Sequence, residues 1–396
     1  MNLESHQAIV VGAGLAGAAA ARALAQRGWH VQVLEMRSSV AHGGSGVPVG
    51  VLSSHVSLDD NPLSQLTRQG LQWTRRFAQA HLEEGVDWRG QGVLERRITP
   101  EGADKKAWEQ PAPDSVWHDH VHPASAALLS QTGLADASTP SVWHTQGAWI
   151  KPTALVHALL KHDHIEVVTR AEVESLQRLA SGEWQLRVKN HISIPNMGSS
   201  HTYSTETAPH VVLALGAHTP DFLNQVLYVD HMGLHPIAGL VSWGLQQPQH
   251  VFPPFPVNGH GSFVAGVPTQ AGTAWYSGAT FERNAMMAQV TPTAHAENQQ
   301  RLARLLPAVA AQLQDLFAQG EGLQAWQGVR CASVNRIPKV GPLDEAQFPG
   351  LYILAGMGSR GLTLSLLCAD VLAALMDNSK PPVSESLLKA MRCQLV

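Results

Sequence analysis

The feature that most constrains the fold lies in the first forty residues, where a strand, a glycine-rich turn and a helix follow one another directly. Residues 8–11 form a continuous apolar run, typical of a strand buried on both faces of a parallel sheet. Gly12, Gly14 and Gly17 then give the spacing GxGxxG, and an alanine-rich helix is predicted over 18–26. Gly12 permits the tight turn, Gly14 lets the backbone approach a pyrophosphate, and Gly17 allows close helix–strand packing. The pattern predicts a βαβ unit that binds a dinucleotide.

A second predicted strand, residues 30–34, is closed by Glu35, which lies 21 residues beyond Gly14. An acid at this position can bond to a ribose hydroxyl, whereas no arginine pair follows it to hold a ribose phosphate, so FAD or NAD is favoured over NADP. The fingerprint stands at the beginning of the sequence, which favours FAD. The alternative is a βαβ turn that binds no nucleotide. The predicted cofactor contacts of this unit are Gly12, Gly14, Leu15, Ala16, Gly17, Glu35, Met36 and Arg37.

A loop of small residues, 43–55, follows the βαβ unit. Its backbone can approach a flat ligand closely, and the Ser45 hydroxyl can donate to a phosphate or a ring oxygen. A flexible surface loop is an equally good explanation of the composition. The cofactor contacts predicted here are Ser45, Gly46, Gly50 and Val51.

The glycine fingerprint followed by this loop resembles the superfamily of FAD enzymes that contains the D-amino-acid, glycine and sarcosine oxidases. Three later segments narrow the resemblance: GAWIKP at 147–152, GVRCA at 328–332 with RIPKVG at 336–341, and AGMGSRGL at 355–362 with LCA at 367–369. Together they resemble the FAD-dependent oxidoreductase domain of the MnmC family, which modifies the tRNA wobble uridine. The resemblance runs from Ala8 to about Met376.

The resemblance implies FAD as the cofactor and assigns roles to later residues. Arg330 matches the arginine that clamps a substrate carboxylate, which a planar guanidinium does better than lysine; a salt bridge within the domain is the alternative. Arg360 is assigned to the flavin, the substrate or a phosphate, without a choice among them. Further cofactor contacts are a backbone contact to adenine at Val173, the strand end at Gly216, and the amides that open the last long helix: Gly358, Ser359, Arg360, Gly361, Leu362 and Thr363.

The predicted fold class is α/β, with a discontinuous Rossmann-like FAD-binding domain and a second, mainly antiparallel β domain for the substrate. The FAD-binding domain is predicted over 1–85, 147–222 and 320–396, and the substrate domain over 86–146 and 223–319. For the second domain, the abundance of β-forming residues between Leu234 and Thr280 predicts an antiparallel sheet.

Two departures from the family pattern matter. Val47 stands where the family has Asn, which loosens one predicted flavin contact. The fingerprint also begins at residue 12, whereas family members commonly carry a methyltransferase domain before the oxidase domain. This leaves open what performs the methylation step; a separate methyltransferase is one candidate.

Charge gives little support for a nucleic-acid partner. The net charge is -4, and residues 101–300 hold 9 Lys and Arg against 16 Asp and Glu, while the remainder holds 18 against 15. Cys331, Cys368 and Cys393 form neither a metal-binding pair nor a disulfide framework. Together with the absence of a signal peptide and of long uninterrupted apolar stretches, this predicts a soluble cytoplasmic protein.

The segment 117–122 has the sequence WHDHVH, which predicts three histidines on one face of a strand. No carboxylate or cysteine stands at supporting spacing, so a surface strand is preferred over a metal site, and no metal is predicted.

Three functions remain open at this point. The resemblance favours FAD-dependent oxidation of 5-carboxymethylaminomethyl-(2-thio)uridine in tRNA, giving aminomethyl-uridine and glyoxylate. The second candidate is an oxidase of a free small amine such as glycine, sarcosine or a D-amino acid. The third is a flavin-binding or electron-transfer subunit without a substrate, against which the intact Arg330 segment argues. No general base is evident, and hydride transfer from a neutral amine does not require one.

Overall fold

The computed structural model describes residues 6–99, 102–103, 118–134, 139–194, 198–230 and 232–393. Its helices are α1 (Leu15–Ala25), α2 (Pro62–His81), α3 (Ala126–Ser130), α4 (Pro152–Leu160), α5 (Thr219–Leu227), α6 (Pro292–Leu305), α7 (Pro307–Gln312), α8 (Gln314–Gln319), α9 (Gly361–Met376) and α10 (Glu385–Met391).

The strands are β1 (Gln7–Val11), β2 (His30–Glu35), β3 (Gly50–Leu52), β4 (Trp88–Arg89), β5 (Val93–Arg96), β6 (Ile98–Thr99), β7 (Gly102–Ala103), β8 (Val121–Pro123), β9 (Ser141–His144), β10 (Ala148–Ile150), β11 (Ile165–Thr169), β12 (Ala171–Arg178), β13 (Trp184–Ile194), β14 (Gly198–Ala208), β15 (His210–Leu213), β16 (Leu234–Leu245), β17 (Val257–Gly259), β18 (Gly261–Thr269), β19 (Gly272–Gly278), β20 (Glu282–Arg283), β21 (Gln324–Ser333), β22 (Lys339–Pro342) and β23 (Leu351–Ala355).

The chain forms two compact units, and both are discontinuous in sequence. Unit 1 comprises Met1–Gly46, Pro152–Ile237 and Arg330–Val396, and unit 2 comprises Val47–Lys151 and Ala238–Val329. This confirms the predicted α/β class, since unit 1 is built on a mainly parallel sheet and unit 2 on antiparallel strands.

The sheet of unit 1 has the strand order β11-β2-β1-β15-β23-β22. All neighbouring pairs are parallel except β22 with β23, and Val10 is in register with both Val33 and Val212. The β-branched residues that predicted the first strand are buried on both faces of this sheet, as the parallel geometry requires. A separate antiparallel sheet, β12-β13-β14, lies in the same unit.

Helix α9 packs against α1 in unit 1 and is apolar around most of its circumference. The segment Gly358–Met376 is, by length and composition, the one described helix that could cross a membrane, which differs from the expectation that every apolar stretch is interrupted. Because 72% of its most apolar window is buried inside the fold, burial on several sides accounts for its composition.

Unit 2 contains the antiparallel strands β16, β19 and β18, which confirms the sheet predicted between Leu234 and Thr280. They belong to a larger sheet in which β17 pairs in parallel with β5. Phe263 and Trp275 are fully buried in its core, packed with residues of α6 and α7. The small sheet β3-β10-β4 lies in the same unit.

The unit boundaries differ from the predicted domain boundaries. Residues 47–85 and 147–151 fall in unit 2 rather than with the fingerprint, since β3 pairs with β10 and β10 with β4. Residues 223–237 fall in unit 1, and 320–329 fall in unit 2, where β21 pairs with β16. The linear pattern showed strands but not their partners. That unit 1 binds FAD and unit 2 the substrate stays a prediction.

The expected strand of three histidines is wrong for the described part of 117–122, and Trp117 lies outside the described residues. His118 and His120 stand in the turn that precedes β8, and only His122 lies in the strand. His118 contacts Arg68 at 2.9 Å and His120 contacts Gln146 at 2.9 Å. Among the described residues, no group of three or more metal-binding side chains converges.

Candidate functional site

The candidate site lies at the carboxyl edge of the parallel sheet in unit 1. Gly12 follows β1, Glu35 ends β2, Gly216 follows β15, and the turn Gly358–Arg360 follows β23. Because parallel strands end at the same edge, segments that are distant in sequence become neighbours there. Open α/β sheets bind their ligands outside this edge.

The glycine turn after β1 is closed by contacts that leave no room for side chains. Gly12 has φ +104°, and a Cβ built on it would lie 2.5 Å from the carbonyl oxygen of Ala214. A Cβ on Gly17 would collide with the carbonyl oxygen of Gly12. The two glycines therefore let β1, the start of α1 and the end of β15 approach at backbone distance.

Glu35 is 7% exposed, and both its carboxylate oxygens accept backbone hydrogen bonds. The N–H of Ala13 donates to Oε2 at 2.9 Å, and the N–H of Arg37 donates to Oε1 at 2.8 Å. These bonds fix the carboxylate at the rim of the glycine turn. A carboxylate oxygen accepts more than one hydrogen bond, so each retains capacity for a ribose hydroxyl.

Ser45 stands in a 3₁₀ turn, Gly43–Gly46, and contacts the beginning of α1. Its Oγ accepts the N–H of Leu15 at 2.9 Å, and a Cβ on Gly14 would lie 3.0 Å from the same oxygen. Because the oxygen acts as acceptor toward the helix, the hydroxyl hydrogen remains for an acceptor such as a phosphate. The sequence suggested a donor at Ser45 but not its contact with the helix end.

Two helix N-termini meet at this edge. A Cβ on Gly361, the first residue of α9, would lie 3.3 Å from Cδ1 of Leu15, the first residue of α1. The side chain of the α9 N-cap residue, Arg360, makes no capping hydrogen bond. Both helices direct the positive ends of their dipoles to the same region, which favours a ligand with negative charge.

The strand that carries Arg330 contacts the turn before α9. Ala332 forms an isolated β-bridge with Met357, and a Cβ on Gly358 would lie 3.6 Å from the Cβ of Ala332. Alternation along β21 places Arg330 on the same face as Ala332. The structure thus brings the segments of Arg330 and Arg360 together, although 29 residues separate the two in sequence.

Cys331 stands between Arg330 and Ala332 but is unsuited to nucleophilic chemistry. Its side chain is buried, and burial raises the pKa of the thiol to about 12, although a hydrogen bond with the backbone of Gly356 acts in the opposite direction. The thiol therefore stays protonated near neutral pH. Its contact with Gly356 gives β21 a second attachment to the segment between β23 and α9.

Val173 lies in β12, in the same hydrophobic core as Leu34. The register of β12 against β13 shifts between Val173 and Ser175, which marks a β-bulge. Bulges interrupt the ladder of backbone hydrogen bonds, so a ligand can contact the backbone at such a point. Gly216, with φ +56°, is exposed, and a Cβ on it would meet no atom within 4 Å.

Gly50 and Val51 lie in β3 and therefore belong to unit 2, so their role as cofactor contacts stays a prediction. Val51 packs against a core that contains Trp149 and Tyr276. Burial there raises the pKa of Tyr276, so its hydroxyl stays protonated near neutral pH.

Immediately after β3, a buried polar network appears that the sequence pattern did not indicate. Ser54 Oγ lies 3.4 Å from His144 Nδ1, and His144 Nε2 lies 2.7 Å from Glu95 Oε2. Arg97 contacts Glu95 at 3.1 Å and donates to the carbonyl of Val56 at 3.0 Å. The hydrogen-bonded series Ser54–His144–Glu95 resembles the catalytic triad of a hydrolase. His144 is only 1% exposed and Ser54 8%, however, so a substrate cannot reach them. The network instead attaches residues 54–56 to β5 and β9.

This network predicts acid sensitivity in unit 2. Burial alone would raise the pKa of Glu95, but the charge of Arg97 and the hydrogen bond with His144 outweigh it and lower the pKa to about 2. A carboxyl whose folded-state pKa is depressed stabilises the fold above its unfolded-state pKa of 4.5. This contribution, on the order of 3 kcal/mol, is lost as the pH falls toward 2.

We expect Glu95→Gln to lower the free energy of unfolding at pH 7 and to flatten its dependence on pH between about 4.5 and 2. Urea unfolding monitored by tryptophan fluorescence at several pH values measures both effects. Glu282→Gln, at an exposed acid of unit 2, serves as the control and should keep the wild-type pH dependence. If the free energy of unfolding of Glu95→Gln depended on pH as the wild type's does, the lowered pKa of Glu95 would not be the source of the acid sensitivity.

The residues at the carboxyl edge of the sheet fit FAD, both in the chemical groups that they offer and in the close approach to the backbone that they allow. The turn leaves no room for a side chain at Gly12 or Gly17, the two helix ends suit a pyrophosphate, and Glu35 is held where a ribose hydroxyl can bond to it. A polar cavity of about 390 Å³ opens at the opposite edge of the sheet, lined by Gln7, His30 and Glu166 among others. We place the site at the carboxyl edge because the helix ends and the glycine turn lie there.

Comparison with known proteins agrees with this geometry. Residues 7–375 match the family described as FAD dependent oxidoreductase (DAO). The chain is 40% identical over 395 residues to the "tRNA 5-methylaminomethyl-2-thiouridine biosynthesis bifunctional protein MnmC" of Paracidovorax citrulli (strain AAC00-1), covering 97% of this chain and 59% of that protein. The protein of the same name from Polaromonas naphthalenivorans (strain CJ2) is 40% identical over 382 residues, covering 95% and 57%. The chain thus spans about three fifths of the length of these curated relatives.

Among solved structures, the glycine oxidase from Geobacillus kaustophilus superposes with a TM-score of 0.74 at 21% sequence identity, covering 98% of this chain and 99% of that one. At this identity the likeness concerns the fold. It agrees with the parallel sheet of unit 1 and the antiparallel strands of unit 2.

Proposed function

The chain belongs to the family of FAD dependent oxidoreductases, and from this premise we propose that it oxidises a carboxymethylamine carried on tRNA. The substrate would be 5-carboxymethylaminomethyl-(2-thio)uridine at the wobble position. Oxidation of the C–N bond on its carboxymethyl side gives an imine, which water cleaves to glyoxylate and the primary amine of aminomethyl-uridine. A methyltransferase acting on that amine would then form the methylaminomethyl group that the relatives' names contain. A cytoplasmic location is part of this proposal.

One observation carries the proposal: the Ala332–Met357 bridge brings the strand of Arg330 to the turn that opens α9. Arg330, the proposed carboxylate binder, therefore lies in one unit with the glycine fingerprint and with a helix terminus suited to negative charge. A carboxymethylamine needs this combination, because its carboxylate must be fixed for its C–H bond to be aligned with the cofactor.

FAD, when bound, accepts the hydride removed from the substrate carbon. The protein contributes orientation and electrostatics. Arg330 would hold the carboxylate through two parallel N–H donors, which restricts both position and rotation. The amides of Gly361 and Leu362 at the start of α9 would stabilise negative charge that develops on reduction.

A second candidate is oxidation of a free small amine, because the fold is shared with a glycine oxidase. It would use the same carboxylate clamp and the same cofactor residues. The two candidates differ in what surrounds the amine, so substrates of different size separate them.

The test is anaerobic reduction of the bound flavin, followed by its visible absorbance. Carboxymethylaminomethyl-modified tRNA, glycine and sarcosine are supplied separately, and the tRNA products are analysed by nucleoside mass spectrometry. Bleaching by the tRNA with formation of aminomethyl-uridine is expected. Bleaching by free amines alone would establish the second candidate, and bleaching by none would leave only a flavin-binding role.

A further inference from the structure

The hairpin of β13 and β14 in unit 1 presents an exposed polar face that the proposed reaction does not use. Residues in register share a face, and the pairs Arg187–Thr205, Lys189–Tyr203 and His191–His201 alternate with buried positions such as Leu186 and Val188. We name this the outer hairpin face. Its described members are Gln185, Arg187, Lys189, His191, His201, Tyr203, Thr205 and Thr207.

Two members of this face, Arg187 and Lys189, are permanent cations. Its described members include an arginine, a lysine and two histidines, and none is acidic. The neighbouring acids are on β12, where Glu174 lies 3.7 Å from Lys189 and Glu172 lies 2.8 Å from His191. Glu172 is in register with Lys189 and therefore borders this face, whereas the acid of β14, Glu206, pairs with the buried Leu186 on the other face.

Arg187 differs from its neighbours because it has no carboxylate partner in the described part of the chain. Its guanidinium carbon lies 4.2 Å from the centre of the Tyr203 ring. Stacking orders the guanidinium without using its N–H groups, so these can still bond to a phosphate.

Tyr203 adds a surface suited to an unpaired base. Its side chain is 48% exposed, and the ring of His201 meets it edge-on at a centroid distance of 5.4 Å. Exposed aromatic rings on a sheet bind single-stranded nucleic acid by stacking, while nearby cations and hydroxyls contact the backbone. Thr205 and Thr207 supply exposed hydroxyls on the same strand.

We infer that the outer hairpin face binds the substrate tRNA, with Arg187 contacting a phosphate and Tyr203 stacking on an unpaired base. This inference rests on the proposed function and names a binding surface for its substrate. The stacked Arg187 and the exposed Tyr203 ring favour RNA over a lipid surface, since the described part of the face contains no aliphatic side chain that could insert into a bilayer.

The experiment compares the FAD-loaded wild type with Arg187→Ala, Tyr203→Ala and the double variant. Fluorescence anisotropy measures the dissociation constant of labelled tRNA at several salt concentrations, and steady-state kinetics measures KM and kcat. We expect the double variant to bind about tenfold more weakly, with a salt slope reduced by about 1 for the lost phosphate contact. KM should rise accordingly while kcat, flavin absorbance and thermal unfolding stay unchanged.

Two controls separate this role from a general effect of charge or folding. Lys380→Ala removes an exposed charge elsewhere in unit 1, and Tyr203→Phe retains the ring; both should bind tRNA as the wild type does. Equal loss in Lys380→Ala, or wild-type affinity in the double variant, would overturn the inference. If the wild type oxidises tRNA and the double variant matches it, only this surface is refuted. If the wild type neither binds nor oxidises tRNA, both the binding surface and the proposed function are refuted.

Discussion

Replacing Arg330 with Ala is expected to lower kcat/KM for the carboxymethylamine by a factor of about 100 or more, while the protein retains its FAD. Two charge-assisted hydrogen bonds to the substrate carboxylate would be lost, and each is worth about 1.5–3 kcal/mol. The substrate C–H bond would also lose its alignment, which adds to the loss in rate. Arg330→Lys should recover only part of the activity, because an ammonium group cannot form the planar double contact.

Stopped-flow reduction of the flavin by substrate gives the rate, and the visible spectrum gives the FAD content. Arg336→Asn provides a matched control: it removes an exposed arginine six residues further on, at φ +60°, a conformation that Asn tolerates. Wild-type turnover by Arg330→Ala would refute the clamp and favour a structural salt bridge. A loss of FAD in that variant would instead place Arg330 among the cofactor contacts.

Replacing Gly17 with Ala is expected to destabilise the protein by at least about 3 kcal/mol and to abolish FAD binding. Helix propensity alone would predict that Gly17→Ala stabilises the protein, because Ala stabilises a helix interior by about 1 kcal/mol relative to Gly. The tertiary contact decides the outcome, since the new Cβ would collide with the carbonyl oxygen of Gly12. Backbone atoms on both sides must move, and the turn that receives the cofactor would move with them.

Urea unfolding and the flavin content of the purified protein measure these two effects. Gly28→Ala is the control, because a Cβ at Gly28 meets nothing within 4 Å, although φ is +85°. We expect that variant to lose about 1 kcal/mol from its backbone conformation and to keep its FAD. If Gly17→Ala proved as stable as the wild type, the close approach of α1 to the glycine turn would be refuted.

The βαβ unit of the candidate cofactor site can be predicted from local sequence pattern. The buried strand, the glycine spacing and the acid at Glu35 each depend on residues within one βαβ unit, so short-range rules are sufficient. The roles of the individual residues remain predictions. The structure adds that Glu35 is held by the N–H groups of Ala13 and Arg37, a contact that depends on how tightly the turn closes.

Features that need pairing over long distances do not follow from local pattern. The domain boundary predicted at residue 85 differs from the boundary of the compact units after Gly46, because β3 finds its partner in β10, about one hundred residues later. The network of Ser54, His144 and Glu95 gave no signal, since its members come from three separate segments. The alternation of histidines with other residues in 117–122 predicts a strand, but the sequence shows no signal for the turn that precedes β8.

Local pattern is sufficient to predict the α/β class, the dinucleotide fingerprint and the membership of a flavin family, because these depend on periodicity and on motifs of a few residues. The fold was needed to show that the Arg330 strand meets the turn before α9, and that Arg187, Lys189 and Tyr203 share one face. Strand pairing fixes which distant residues become neighbours and which side of a sheet each one faces. A net charge of -4 therefore coexists with an exposed arginine, Arg187, that no carboxylate of the described residues pairs with.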